Sequence, residues 1–193
     1  MKKYLSESIE LLERIKGLNI IRMIRPFYGD VDLFIKNFPR VKEREIFAFS
    51  GYSLFIEFEV LGWVAFAECE RELSIVMWQF DELTRLKVFP DSEVNNISGQ
   101  KYIECADETY SESYWADFIG TKISGMKIIS LSVDRESIRS FKNERGLWMV
   151  NDSGADLIVE TSLAEKGIPG GLNLIRKNQI RTQLLGDLAF RNV

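Results

Sequence analysis

The chain has 193 residues, 46% hydrophobic and 28% charged, with a net charge of −4 at neutral pH. Such a composition is that of an ordinary globular protein, long enough to build a core without a disulfide or metal staple. It contains no histidine, which excludes Ser-His-Asp and Cys-His nucleophilic systems and every zinc site built on imidazole.

The two cysteines, Cys69 and Cys105, stand far apart and in no CxxC spacing. They read as reduced thiols of a cytoplasmic protein and cannot by themselves supply a four-thiolate zinc site. The basic start Met1-Lys2-Lys3 is followed by Glu7, Glu10 and Glu13, which argues against a secretory signal. No run approaches the roughly 20 apolar residues of a membrane span. Charge is uneven: residues 1–44 carry +4, residues 45–120 carry −11 and residues 121–193 carry +3. An acidic middle repels polyanions and attracts cationic surfaces, so nucleic acid is not an expected partner.

In chain order, Ser6 is placed to cap a helix with Leu5, Ile9 and Leu12 on one face and Gly17 as its stop. Leu18–Arg25 is Ile-rich and predicts a strand closed by Pro26 and Gly29. Val31, Phe34, Ile35 and Phe38 keep helical spacing up to Pro39. Glu45–Phe49 and Ser53–Val60 predict a hairpin around Ser50-Gly51-Tyr52. Gly62–Glu68, Glu72–Phe80 and Leu83–Phe89 follow as strands, and Asp91–Gln100 reads as a linker. Then come a helix over Ser111–Phe118, a strand over Lys127–Val133 and a short helix over Ser137–Lys142. Leu147–Val150 and Asp156–Thr161 form a hairpin about Asn151-Asp152-Ser153-Gly154. Gly167–Gly171 breaks the chain before a last strand or helix in Leu172–Phe190.

Asp30–Glu59 echoes Val133–Ser162 at an offset of 103, with Phe38 against Phe141, Gly51 against Gly154, Leu54 against Leu157 and Glu57 against Glu160. The expectation is an α+β fold of mainly antiparallel sheet in two tandem related halves. These span residues 1–90 and 107–193, with a linker-like segment at 91–106.

Gly167-Ile168-Pro169-Gly170-Gly171 lacks the Lys-Ser/Thr of a phosphate loop and reads as a turn. Glu57 and Glu160 read as outward positions of amphipathic strands. Asp30, Asp32, Glu57 and Glu59 could form a carboxylate cluster for a divalent metal, which is the alternative, enzymatic reading. A third reading is a homo-oligomeric scaffold joined through sheet edges. The leading reading expects no cofactor or metal. It gathers two acidic groups, Glu68, Glu70 and Glu72 in one and Asp107, Glu108, Glu112 and Asp117 in the other, with Tyr110, Tyr114 and Trp115 interleaved in the second. Carboxylates beside aromatics suit a cationic protein surface: the acids steer and the rings supply contact area. Trp115 has an equal claim to the core.

Trp115-x-x-Phe118-Ile119-Gly120-Thr121-Lys122-Ile123, then a strand and Leu147-Trp148-Met149-Val150-Asn151-Asp152-Ser153-Gly154, resembles bacterial immunity proteins of polymorphic or contact-dependent toxins. The likeness spans residues 111–162 and, more faintly, 6–59, where Ser50-Gly51 stands in place of Asn-Asp-Ser-Gly. It implies a non-enzymatic cytoplasmic protein that neutralises a toxin domain by binding it, with no catalytic residues to transfer.

Overall fold

A computed structural model describes residues 1–49, 51–69, 74–80, 100–132, 143–166 and 171–193. The expected strand at Leu83–Phe89, the helix at Ser137–Lys142 and most of the linker lie outside these residues. The fold is α+β, with two antiparallel sheets and short helices.

The first sheet contains β1 (Lys3–Tyr4), β2 (Ile20–Tyr28), β3 (Ser53–Phe58), β4 (Gly62–Cys69), β5 (Ser74–Phe80) and β6 (Gln100–Glu104), in the order β1-β5-β4-β3-β2-β6. The second contains β7 (Ile123–Leu131), β8 (Glu144–Asn151), β9 (Asp156–Thr161), β10 (Leu172–Ile175) and β11 (Leu188–Asn192), in the order β10-β9-β8-β7-β11. The first sheet adds β1 beside β5, and the remaining strands are connected alike in both. Four strands meander, and a later strand returns to the outer side of the first.

The residue correspondence read from the sequence does not follow that connectivity throughout. An offset of 103 lays β2 on β7, each the first strand of its meander, but lays β3 on β9, a second strand on a third. Alternating apolar residues look alike on any half-buried strand, so the echo through Gly51 and Gly154 slips by one strand.

α1 (Ile9–Ile15) buries Leu12 and Ile15. Its N-cap is Ser8 rather than Ser6, which lies in the preceding turn. Gly17 ends it at φ +85°, a left-handed conformation that glycine adopts without penalty. β2 runs through Pro26 to Tyr28 instead of stopping. The Cys105 amide donates to the Met23 carbonyl, so by alternation Arg25 and Phe27 turn their backbone groups to β6 and Pro26 turns away. Pairing with β3 has by then ended at Ile24, so the missing proline donor costs the ladder nothing.

α2 (Val31–Asn37) is capped by Asp30, whose Oδ1 accepts from the Leu33 amide at 2.9 Å. The expected strand at Glu45–Phe49 is instead a 3-10 turn, Glu43–Glu45, running into α3 (Ile46–Phe49). Ile46, Phe47, Ala48 and Phe49 are all buried, and a short apolar run buried on every side shows no period that tells helix from strand. The turn is closed by Glu45 Oε2, which accepts from the Lys42 amide at 2.9 Å. In the second half, α4 (Ser113–Ala116) covers only the middle of its expected span. The β8–β9 hairpin forms as expected. Asn151 Oδ1 accepts from Ser153 Oγ and the Ala155 amide, and Gly154 takes φ +84°. After β10, the turns Lys177–Gln179 and Thr182–Asp187 lead to β11.

One cluster of buried residues draws on both sheets, including Met23, Phe27, Ile56, Val64 and Phe66 from the first and Met126, Ile128, Leu147, Met149 and Val159 from the second. The other face of the first sheet carries a separate group, Ile24, Phe55, Trp63, Ala65 and Phe80.

Arg25 binds the two sheets together. It is fully buried on β2 and donates only to backbone carbonyls: Phe47 and Ala48 at 2.8 Å, Ser53 and Gly51 at 3.2 Å, and Leu172 of β10. Burial pulls its pKa down to about 9, against the upward pull of Glu160. Gly51 leaves it room, since a Cβ there would lie 3.1 Å from Arg25 Nε.

Candidate functional site

The acidic residues singled out from the sequence meet different fates. Glu68 faces inward from β4, where Oε1 accepts from Thr161 Oγ1 of β9 at 2.7 Å. It joins the sheets and offers little to a partner. Glu70 and Glu72 lie outside the described residues. Asp107 closes its own turn, accepting from the Thr109 amide at 2.9 Å and the Tyr110 amide at 3.3 Å. Glu112 pairs with Arg176 at 3.1 Å. Glu108 and Asp117 are exposed.

The aromatics divide too. Trp115 is 1% exposed and belongs to the core. Tyr114 stands half-buried on α4, edge-on to Trp115 and Phe118. Its hydroxyl donates to the Asp156 carbonyl at 2.7 Å and accepts from the Asp156 amide at 3.1 Å. The Arg176 guanidinium lies 3.8 Å from its ring centre. Burial raises its pKa above the ordinary phenol value. Both ends of Tyr114 are therefore engaged within the chain.

The alternative carboxylate cluster is not assembled. Glu57 lies opposite Arg22 in the β2–β3 register, near the start of β2, and Glu59 accepts from Asn19 Nδ2 at 2.6 Å. Asp30 and Asp32 lie just past the far end of that strand, roughly 20 Å away at a rise of about 3.3 Å per residue. Among the described residues, no group of three or more carboxylates or cysteines is placed to hold a metal ion.

What the fold does bring together is Asp30 and Asp32 with Glu43 and Tyr110. With Gly29 and Val31 they line a concavity of about 370 Å³. Asp30 and Asp32 come from the start of α2 and Glu43 from the turn before α3. Tyr110 is held against that turn, because its carbonyl accepts from the Phe47 amide at 2.8 Å. Asp32 and Glu43 are exposed. A second cleft of about 490 Å³ lies alongside, lined by Arg44, Cys105, Glu108, Ser111, Glu112, Tyr114 and Arg176, among others. Neighbouring residues, Glu43 with Arg44 and Tyr110 with Ser111, connect the two. Arg44 is exposed and makes no ion pair with a described residue. Burial lifts the Cys105 thiol to about 11, so it is a poor nucleophile at the floor of the cleft.

No family model, curated protein or solved structure matches this chain. The site is accordingly read from its own geometry. Sequence reasoning placed Tyr110 and Glu108 on a binding face and gave Asp30 and Asp32 to a metal only in its alternative reading. It did not join the two sets, which are about 80 residues apart, and it had no signal for Glu43 or Arg44.

Glu160, expected to point outward, is fully buried beneath the segment after β9, with Oε2 accepting from the Leu163 amide. Burial pushes its pKa up to about 7. Its register partner on β10 is Asn173. Neither Glu160 nor Asn173 lies in the concavity. Among the described residues, no helix is long and apolar enough to cross a membrane.

Proposed function

We propose that this chain is a non-enzymatic binding protein that captures a basic protein through the acidic, tyrosine-bearing concavity. The observation that carries the reading is the convergence of Asp30, Asp32, Glu43 and Tyr110 on one hollow of about 370 Å³. Carboxylates spread around a hollow, with no metal-holding cluster among the described residues, suit the dispersed charge of a guanidinium or ammonium side chain. Tyr110 beside them supplies contact area with little conformational freedom to lose. Glu108, in the adjoining cleft, extends the negative surface. Arg44 at the junction favours a partner whose basic side chains are flanked by a carboxylate. Charge on this face would accelerate encounter, and the aromatic would slow escape.

The resemblance to toxin-immunity proteins agrees with this reading and makes a toxin domain in the cytoplasm the partner of choice. The test is affinity capture from the native host with the wild-type chain and with an Asp32→Lys/Glu43→Lys variant of equal thermal stability. A basic protein retained by the first and lost by the second supports the reading; equal retention refutes it.

A further inference from the structure

Among the described residues, β11 is an open edge of the second sheet. The Ser132 amide donates to the Asp187 carbonyl, and the Val193 amide donates to the Met126 carbonyl. By alternation, Ala189 and Arg191 also turn their backbone groups to β7, their partners being Ser130 and Ile128. Leu188, Phe190 and Asn192 turn theirs outward, and no hydrogen bond is made to them by any described residue. The opposite edge is engaged at Leu172, whose amide donates to the Gly51 carbonyl and whose carbonyl accepts from Arg25. β11 carries no proline, and Ala189, Phe190, Arg191 and Asn192 are exposed. Phe190 is 44% exposed and stands edge-on to Trp148 at 5.9 Å. Proteins usually protect such edges from strand addition.

We propose that this edge pairs with β11 of a second copy, antiparallel about Phe190, to join two second sheets into one. The register is self-complementary. Centred on Phe190, it sets Phe190 opposite Phe190 and Leu188 opposite Asn192. All of these turn backbone groups outward, so each pair exchanges both of its bonds, as antiparallel partners of matching parity do. The two Phe190 rings extend the aromatic row begun by Trp148, a favourable cross-strand pairing. Arg191 then faces Ala189 of the other copy, not a like charge. It also stands diagonal to Asp187 of the other copy, within reach of a long side chain. Asp187 and Arg191 are both exposed and make no ion pair with a described residue. Symmetry makes two such ion pairs. The contact involves different residues from the acidic concavity and stands or falls independently of it.

The experiment is sedimentation equilibrium on the full chain from about 1 to 200 µM, a range suited to a small interface. A reversible species of twice 22.3 kDa is expected. Phe190→Pro removes an outward donor and leaves the bonds to β7 intact, so circular dichroism should hold. Because it also loses the ring on Trp148, Phe190→Ala, which loses the same ring but keeps the donor, is its control and should dimerise more tightly than Phe190→Pro. Dimerisation should weaken roughly tenfold or more. Arg191→Asp should weaken the dimer, and Asp187→Arg/Arg191→Asp should restore it, a rescue that only this register predicts. A chain that stays monomeric at the highest concentration overturns the proposal. So does a dimer indifferent to Phe190→Pro, or a charge exchange that fails to rescue.

Discussion

The Arg25 guanidinium, on β2 of the first sheet, donates to the carbonyl of Leu172, on β10 of the second. Its remaining bonds hold the end of α3 and the approach to β3. No carboxylate touches it among its hydrogen-bond partners. Five carbonyls would lose their donor together if it were removed. We expect Arg25→Met to cost at least about 3 kcal/mol, because buried acceptors left unsatisfied carry a desolvation penalty. Gly51→Ala, which thrusts a Cβ to 3.1 Å from Nε, should cost about 1–3 kcal/mol. Urea denaturation at neutral pH measures both.

Glu160 sets the pH dependence of stability on the neutral side. Its pKa in the folded chain is about 7, raised by burial above the usual 4.5. The folded state therefore holds a proton that the unfolded state releases. Stability should fall as pH rises from about 4.5 to 7 and level off above that, at no more than about 1.4 kcal/mol per pH unit. Glu160→Gln keeps an acceptor for the Leu163 amide without the buried charge. It should flatten the slope, leaving stability near pH 5 unchanged and raising it at pH 8. Urea midpoints across that range decide it.

Glu45 works the other way. Burial alone would raise its pKa, but the bonds from Lys166 at 2.8 Å and from the Lys42 amide prevail and hold it below the usual value. Its contribution is present above the unfolded pKa of 4.5 and is lost as pH falls through the lower folded value. Lys166→Met should cost about 1–2 kcal/mol at pH 7 and very little once Glu45 is protonated. An acid titration of the two chains followed by fluorescence tests this.

Tyr114 separates stability from binding. Tyr114→Phe removes the hydroxyl that bonds both backbone groups of Asp156 and should cost about 1–2 kcal/mol. The hydroxyl is spent inside the chain, so capture of a basic partner should be unchanged. Tyr110→Ala should lose capture of the basic partner, read on protein shown to be folded by circular dichroism.

Much of the sheet was legible because β2, β4 and β5 are rich in Ile, Val, Phe and Trp between clear turn residues, and the Asn151–Gly154 turn states its own chemistry. The segment Glu45–Phe49 was misread as a strand because four consecutive buried apolar residues carry no period. Arg25 gave no sign of its role: an arginine in an Ile-rich strand looks like an outward position until α3 and β10 close over it. Glu68 and Glu160 misled for the same reason, because alternation tells which side of a strand a residue takes but not what later covers that side. The concavity was half legible. Tyr110 stood out as an aromatic beside acid, whereas Asp30, Asp32 and Glu43 reach it only through the docking of α2 and the Glu43–Glu45 turn, a long-range event with no local mark.

The most direct measurement of the binding claim is the association rate with the basic protein recovered from the native host, followed by stopped flow from about 20 to 500 mM salt. For the wild-type chain the rate should fall steeply as screening grows, and Asp32→Lys/Glu43→Lys should slow it roughly tenfold or more at low salt with the fold intact. A rate independent of salt and equal in the two chains would contradict the account.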